Sequence, residues 1–279
     1  MRSGFVTLVG RPNVGKSTLV NAICGQKISI VSDKPQTTRR QIRGILTRPE
    51  VQIVFVDTPG LHKPVSALGT RVNAAAIESI HDVDVSCLVV DATKSFGSGD
   101  RWVAQRLDMT KTIVVLNKID AVKKDDVLRQ LSAVSELQAL DYFPVSARSG
   151  EGIGELVDRI ASLLPEGPAF YPDDVVRDLP DADWIAELVR EQLLHATRDE
   201  LPYSIATRVT EWDWPRIRCE IIVERDSQKG MVIGKAGAVL KKVGIAVREQ
   251  LPPGVFLELH VKVDKDWQQR ADRVERLGY

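Results

Sequence analysis

Five short apolar runs constrain the first half of this chain more than anything else in it. They are "GFVTLVG" (4–10), "VQIVFVD" (51–57), "VSCLVVD" (85–91), "TIVVLNK" (112–118) and "YFPVSA" (142–147). Most are continuous rather than alternating and rich in β-branched residues, as strands buried on both faces are. Amphipathic stretches such as "KSTLVNAIC" and "VLRQLSAVSELQAL" lie between them. Strand and helix in turn predict an α/β fold: a mostly parallel sheet covered by helices.

The pattern changes beyond residue 164. "LPEGPAFYPDDVVRDLPDAD" (164–183) carries four prolines and several acids and reads as an interdomain connection. A helix, "WIAELVREQLLHAT", comes next, then two strand-like runs, "YSIATRVTEW" and "RIRCEIIVE". A glycine-punctuated basic segment (227–248), a strand "VFLELHVKV" and a last helix complete a smaller α+β unit. The expected division is a first domain over 1–166, a linker over 167–183 and a second domain over 184–279.

Charged residues make up 27% of the 279 and hydrophobic ones 43%, which is a soluble globular composition. Formal net charge is zero, so overall charge selects no partner. Cys24, Cys87 and Cys219 have no metal spacing and read as reduced core residues of a cytoplasmic protein. No apolar run approaches the roughly 20 residues that span a bilayer. A strand begins almost at Met1, so no leader is expected.

"GRPNVGKS", residues 10–17, matches G-x-x-x-x-G-K-[ST] between a strand and a helix. In such a loop the glycines let backbone N–H groups wrap phosphates, the lysine reaches the β- and γ-phosphates, and the hydroxyl ligates Mg²⁺. Gly10, Arg11, Pro12, Asn13, Val14, Gly15, Lys16, Ser17 and Thr18 are therefore expected around a nucleotide. "NKID" selects the base. Asp120 can accept from guanine N1–H and the 2-amino group together, and a buried acid facing adenine would be left unpaired. Asn117 would support that site, with Lys118 along base and ribose. In "SAR", Ser146 would flank the site and the Ala147 N–H would meet the base oxygen.

In "VDTPGLH" Asp57 would hold Mg²⁺ through water and the Gly60 N–H would sense the γ-phosphate, with Thr58, Pro59 and Leu61 completing the segment. "QTTRR" (36–40) stands where a switch threonine belongs, Thr38 rather than Thr37. Its carbonyl and hydroxyl would bind γ-phosphate and metal only in the triphosphate state. Lys16, Thr38 and Gly60 are the expected catalytic groups. Many enzymes of this kind carry a glutamine after that glycine to orient water. Leu61 cannot do so, and His62, one position late, reads better as a solvated loop residue.

The second unit offers Gly234-Lys235-Ala236-Gly237, a G-x-x-G loop between a short helical turn and a longer helix. KH domains clamp about four nucleotides of single-stranded backbone with such a loop. Lys229, Lys235, Lys241, Lys242 and Arg248 fall within 227–248, which holds no acid, although residues 170–279 carry 17 Lys and Arg against 20 Asp and Glu. A positive stripe on an acidic domain predicts an oriented RNA track. Ile233 and Val239 are candidates for an apolar floor under a base, or for core. Trp212 and Trp214 read first as packing or half-exposed loop residues.

With these residues in place, the chain resembles Era-type GTPases of the TrmE–Era–EngA group. "GRPNVGKSTLVNAICGQKISIVSDKPQTTRRQIRG", "VDTPGLHKP", "LPEGPAFYPDD" and the terminal "RLGY" carry the likeness, which covers the whole chain. The resemblance implies a single P-loop GTPase domain followed by a type II KH domain. It implies a hydrophobic residue turned away from the nucleotide in place of the glutamine. It also implies a K⁺ ion near the phosphates, bound through Asn13, which joins the catalytic set. The implied partners are GTP and GDP, the 3′ end of small-subunit ribosomal RNA and the small subunit in assembly. Loose association with the inner face of the cytoplasmic membrane is a further implication, and a monomer is expected. Two rivals stand beside this reading: a nucleotide-gated RNA-binding scaffold with negligible hydrolysis, and a P-loop small-molecule kinase, which "NKID" opposes.

Overall fold

The computed structural model describes residues 1–279 apart from 62, 63, 65, 81 and 198–200. Strand β1 (Arg2–Val9) runs into α1 (Lys16–Cys24), followed by β2 (Ile42–Arg48), β3 (Val51–Asp57), α2 (Ala67–Glu78) and β4 (Val85–Asp91). Then come α3 (Ser98–Ala104), β5 (Thr112–Asn117), α4 (Lys124–Val134), β6 (Asp141–Pro144), α5 (Ile153–Leu163) and the two-residue β7 (Arg177–Asp178). Their sheet has the order β6-β5-β4-β1-β3-β2-β7. Its five parallel strands, β6, β5, β4, β1 and β3, are the five apolar runs. Every residue of β3, β4 and β5 is buried, which is why those runs do not alternate.

Two strands lie outside that pattern. β2, "IRGILTR", is antiparallel to β3 and also pairs with β7. Arg43 of β2 bonds Asp178 of β7 at 3.2 Å. Phe170 and Tyr171 donate their N–H groups to Gln52 Oε1 at 2.7 and 2.9 Å. The stretch read as a linker is thus partly structured on the first sheet.

The chain divides into two compact units. The first comprises Met1–Val31, Thr38–Pro64 and Arg71–Asp178; the second, Ser32–Thr37, Val65–Thr70 and Leu179–Tyr279. In the second, α6 (Asp181–Ala196) and α7 (Leu201–Ser204) precede β8 (Ala206–Asp213) and β9 (Arg216–Val223). The helices α8 (Asp226–Ile233) and α9 (Ala238–Arg248), strand β10 (Phe256–Val263) and α10 (Ala271–Arg276) follow. The sheet order is β10-β9-β8, with β10 parallel and β8 antiparallel to β9. One sheet face, with Cys219, Ile221, Val223 and Leu257, packs on Leu188 and Val189 of α6 and on Val232, Val243 and Val247 of α8 and α9. Arg190 of α6 is fully buried, paired with Glu187, and donates to the Thr37 carbonyl.

The three cysteines are free thiols. Burial pushes each of them up to about 12.

Candidate functional site

β1 ends at Val9 and the chain turns through two left-handed residues, Asn13 (φ 65°) and Gly15 (φ 97°), before α1 starts at Lys16. A Cβ on Gly15 would stand 2.3 Å from Asn117 Nδ2, so only glycine lets that side chain cross the loop. Lys16 Nζ donates to the carbonyls of Gly10 and Arg11 at 3.2 and 3.1 Å. Burial lowers its pKa to about 8, opposed by the Asp57 charge. Phosphates arriving there would restore the full positive charge.

Asp57 is fully buried and neither carboxylate oxygen has a hydrogen-bond partner. Burial pushes its pKa up; nearby hydroxyls of Ser17, Ser29 and Thr38 and the Lys16 charge oppose this without completing a well-directed bond. The Ser17 and Thr38 hydroxyls lie 2.8 Å apart. One orphaned carboxylate beside two converging hydroxyls is an oxygen donor set that suits Mg²⁺. Thr37 is turned elsewhere, its hydroxyl bonded to Ser32 Oγ and to the Lys34 carbonyl. Thr38 is therefore the threonine that reaches the P-loop serine.

Thr58 donates its hydroxyl to the Leu8 carbonyl at 2.6 Å. Gly60 packs against the P-loop so closely that a Cβ would meet the Pro12 backbone at 2.7 Å. The Leu61 N–H donates to the Gly10 carbonyl at 3.1 Å, while its side chain, 2% exposed, joins Val9, Leu88, Val90 and Phe96 in the core. It points into the protein core. His62 lies outside the described residues.

At the base site, Asn117 Nδ2 donates to the Val14 carbonyl at 2.9 Å and its Oδ1 accepts the Ala147 N–H at 3.0 Å. The P-loop and the "SAR" turn are thus fastened to the same side chain. Ser146 donates its hydroxyl to Asp120 Oδ1 at 2.7 Å. Two details differ from expectation. Asp120 is exposed rather than buried. The Ala147 N–H is engaged by Asn117 rather than free.

In the second unit Gln228 Oε1 accepts the N–H groups of Glu224 and Arg225 and so caps α8. That helix stops at Gly234 (φ 74°), where a Cβ would strike Val239 at 2.5 Å. Ala236 (φ 50°) and Gly237 (φ 78°) are also left-handed, and α9 then departs. Lys235, Ala236, Lys241, Lys242 and Arg248 are exposed and Lys229 half-buried. None of the five cations has a partner among the described residues. Val239 is half-buried and packs against the core; Ile233 is half-buried beside the loop. Trp212 and Trp214 are half-exposed, their rings 6.4 Å apart.

A family profile described as "50S ribosome-binding GTPase" matches residues 5–118, and a KH-domain profile matches 200–268. The chain is 48% identical to the GTPase Era of Mycobacterium sp. (strain JLS), with 100% of this chain and 99% of the relative covered. It is 47% identical, with the same coverage, to that of Mycolicibacterium smegmatis. The chain belongs to the Era family of GTPases. Two solved Era structures agree, each 38% identical and covering 100% of this chain and 99% of theirs. One is an Era variant from Aquifex aeolicus bound to GDP·AlF4⁻ (TM-score 0.94). The other is Era in complex with MgGDPNP and nucleotides 1506–1542 of 16S ribosomal RNA (TM-score 0.96).

Two residues of this Era-family site escaped the sequence reading. Asp91, at the end of β4 and 4% exposed, accepts from Lys118 Nζ at 2.7 Å, and the same ammonium donates to the Asn13 carbonyl at 2.7 Å. Burial alone would raise the Asp91 pKa; the bonds from Lys118 and Thr93 outweigh it and hold it low. Asp100 of α3, also buried, pairs with Arg11 at 3.3 Å and so anchors the outer side of the P-loop. Each is one carboxylate at an element's end or first turn, and its partner is 27 or 89 residues away. An aspartate closing a buried strand beside "NKID" was the one available signal.

Proposed function

We propose that this chain is a GTP-hydrolysing switch that binds single-stranded RNA, the 3′ end of small-subunit ribosomal RNA, during small-subunit assembly. One observation carries the reading. A P-loop fastened through Asn117 to a guanine-type loop stands in the same chain as a G-x-x-G loop flanked by cations that have no partner among the described residues. The matching profile's 50S description concerns residues 5–118. The small-subunit assignment draws instead on the KH domain and on the relative solved with 16S RNA.

On this reading domain 1–166 holds the nucleotide and domain 184–279 the RNA. Lys16 leaves the Gly10 and Arg11 carbonyls for the β- and γ-phosphates. Backbone N–H groups of residues 13–18 surround the phosphates, and the Gly60 N–H meets the γ-phosphate. Asp120 reads guanine, with Asn117 and Ser146 holding its loop. Ser17, Thr38 and Asp57 would hold Mg²⁺, which when bound offsets the phosphate charge. With Leu61 in the core, the charge and positioning that a glutamine and an arginine finger supply elsewhere must come from another source. K⁺ held through Asn13 is that source in our reading, since phosphoryl transfer responds mainly to positioning and electrostatics.

The buried Leu61 also favours the second reading, a nucleotide-gated scaffold with negligible hydrolysis; the GDP·AlF4⁻ complex of a relative favours hydrolysis. A monomer in the cytoplasm, touching the membrane's inner face loosely, completes the proposal. Among the described residues no helix is long and apolar enough to cross a membrane. The decisive test of the base site is Asp120→Asn, whose amide can donate to the 2-oxo group of xanthine. The variant should lose GTP affinity and gain xanthosine triphosphate affinity; unchanged GTP binding would remove Asp120 from the site.

A further inference from the structure

Between α1 and β2 the segment 27–30 runs without helix or strand, yet Ile28, Ser29 and Ile30 are buried. Buried backbone outside a ladder needs partners from elsewhere. Asn21 of α1 supplies them. Its Oδ1 accepts the N–H groups of Ile28 and Ser29 at 2.8 and 2.9 Å, and its Nδ2 donates to the Ser29 carbonyl at 2.8 Å. Ile28 also packs against Gly44 of β2, its Cγ2 only 3.0 Å from where a Cβ there would stand. One side chain and two buried isoleucines thus fix the backbone of Ser29.

The Ser29 hydroxyl is left over. It is fully buried and has no hydrogen-bond partner, a costly state for a polar group. It lies beside Asp57, whose two carboxylate oxygens are also unpartnered, without completing a well-directed bond to either. Ser17 and Thr38 are the other hydroxyls beside that carboxylate, and both belong to the metal set described above. Ser29 has no such assignment. A hydroxyl that needs an acceptor faces a carboxylate that needs a donor, and a small movement of either side chain would join them. The bond would fix which carboxylate oxygen faces the metal's water. Mg²⁺ makes that demand strictly, because it tolerates little departure from octahedral geometry.

We infer that Ser29 is a positioning residue of the metal site: its hydroxyl donates to Asp57 and sets the carboxylate's orientation toward Mg²⁺, and Asn21 holds Ser29 in place to do so. The inference rests on the assignment of Ser17, Thr38 and Asp57 to that ion. Asn21 stands one turn after Ser17 on α1, so the two share a face of the helix. The helix that carries one metal ligand therefore also carries the clamp for the group that orients another.

The test is the binding of a fluorescent GDP analogue as a function of free Mg²⁺, since with GDP Thr38 makes no contribution to the metal. Ser29→Ala should raise the Mg²⁺ midpoint about tenfold, the lower end of the loss expected when a group that orients a ligand is removed. Nucleotide affinity in EDTA and the denaturant midpoint of the metal-free protein should not fall, because alanine there removes a buried hydroxyl that lacks a partner. Asn21→Ala should also raise the Mg²⁺ midpoint, but no further in the Ser29→Ala background, as members of one network do not add. An unchanged Mg²⁺ midpoint in Ser29→Ala overturns the inference; if stability alone falls, Ser29 is a packing residue. An additive effect of Asn21→Ala removes Asn21 from the role. Asp57→Asn is the control for the reading beneath: if it too leaves the midpoint unchanged, the metal assignment falls and this inference with it.

Discussion

Leu61 illustrates how one residue divides chemistry from stability. Its side chain belongs to the core, so installing the glutamine of other GTPases there would bury an amide without partners and remove apolar packing. Leu61→Gln is expected to destabilise by about 3 kcal/mol and to leave hydrolysis no faster; denaturant unfolding and phosphate release measure the two effects. Faster turnover in that variant would mean that the side chain can swing out to the nucleotide. Asn13 is the complementary case. Hydrolysis should be faster in K⁺ than in Na⁺ at equal ionic strength, and Asn13→Ala should abolish the difference. Equal rates in both salts from the parent would return the missing charge to a partner, or the protein to the scaffold reading. The residues expected around a nucleotide were legible because their types are few and most of them follow closely on a strand, β1, β3, β5 or β6. Asp91 was not, because nothing local ties a strand-end carboxylate to a lysine just past the next strand.

Among elements, the five parallel strands were legible and β2 and β7 were not, for one physical reason. A strand buried on both faces must be apolar throughout, whereas β2 carries Arg43, Thr47 and Arg48, and β7 consists of an arginine and an aspartate. Polar edge strands resemble loops. The G-x-x-G loop shows the same contrast between glycines. Gly234 and Gly237 share a positive φ, but only Gly234 has Val239 against the missing side chain. Gly237→Ala should cost about 1 kcal/mol in left-handed strain and mainly weaken RNA binding, because a methyl group would intrude where a phosphate approaches. Gly234→Ala should cost clearly more and weaken both. Denaturation midpoints alongside an RNA titration separate them; equal destabilisation would show that Val239 yields freely.

At the scale of the molecule, catalysis and RNA recognition are built from different compact units. Replacing Lys235 and Ala236 by two aspartates keeps both loop glycines and sets carboxylates against phosphates. RNA binding should vanish while intrinsic GTP hydrolysis stays within about twofold of the parent. A folded double-aspartate protein that still binds single-stranded RNA at parental affinity would rule out the loop as the clamp. Measurements of this kind benefit from the state of the cysteines. Thiols pushed up to about 12 present almost no thiolate near neutrality. A cysteine introduced on an exposed surface would therefore react with a maleimide dye well ahead of the buried Cys87 and Cys219 and the half-buried Cys24. Fluorescence could then follow either unit through nucleotide exchange without first stripping the native sulfur from the chain.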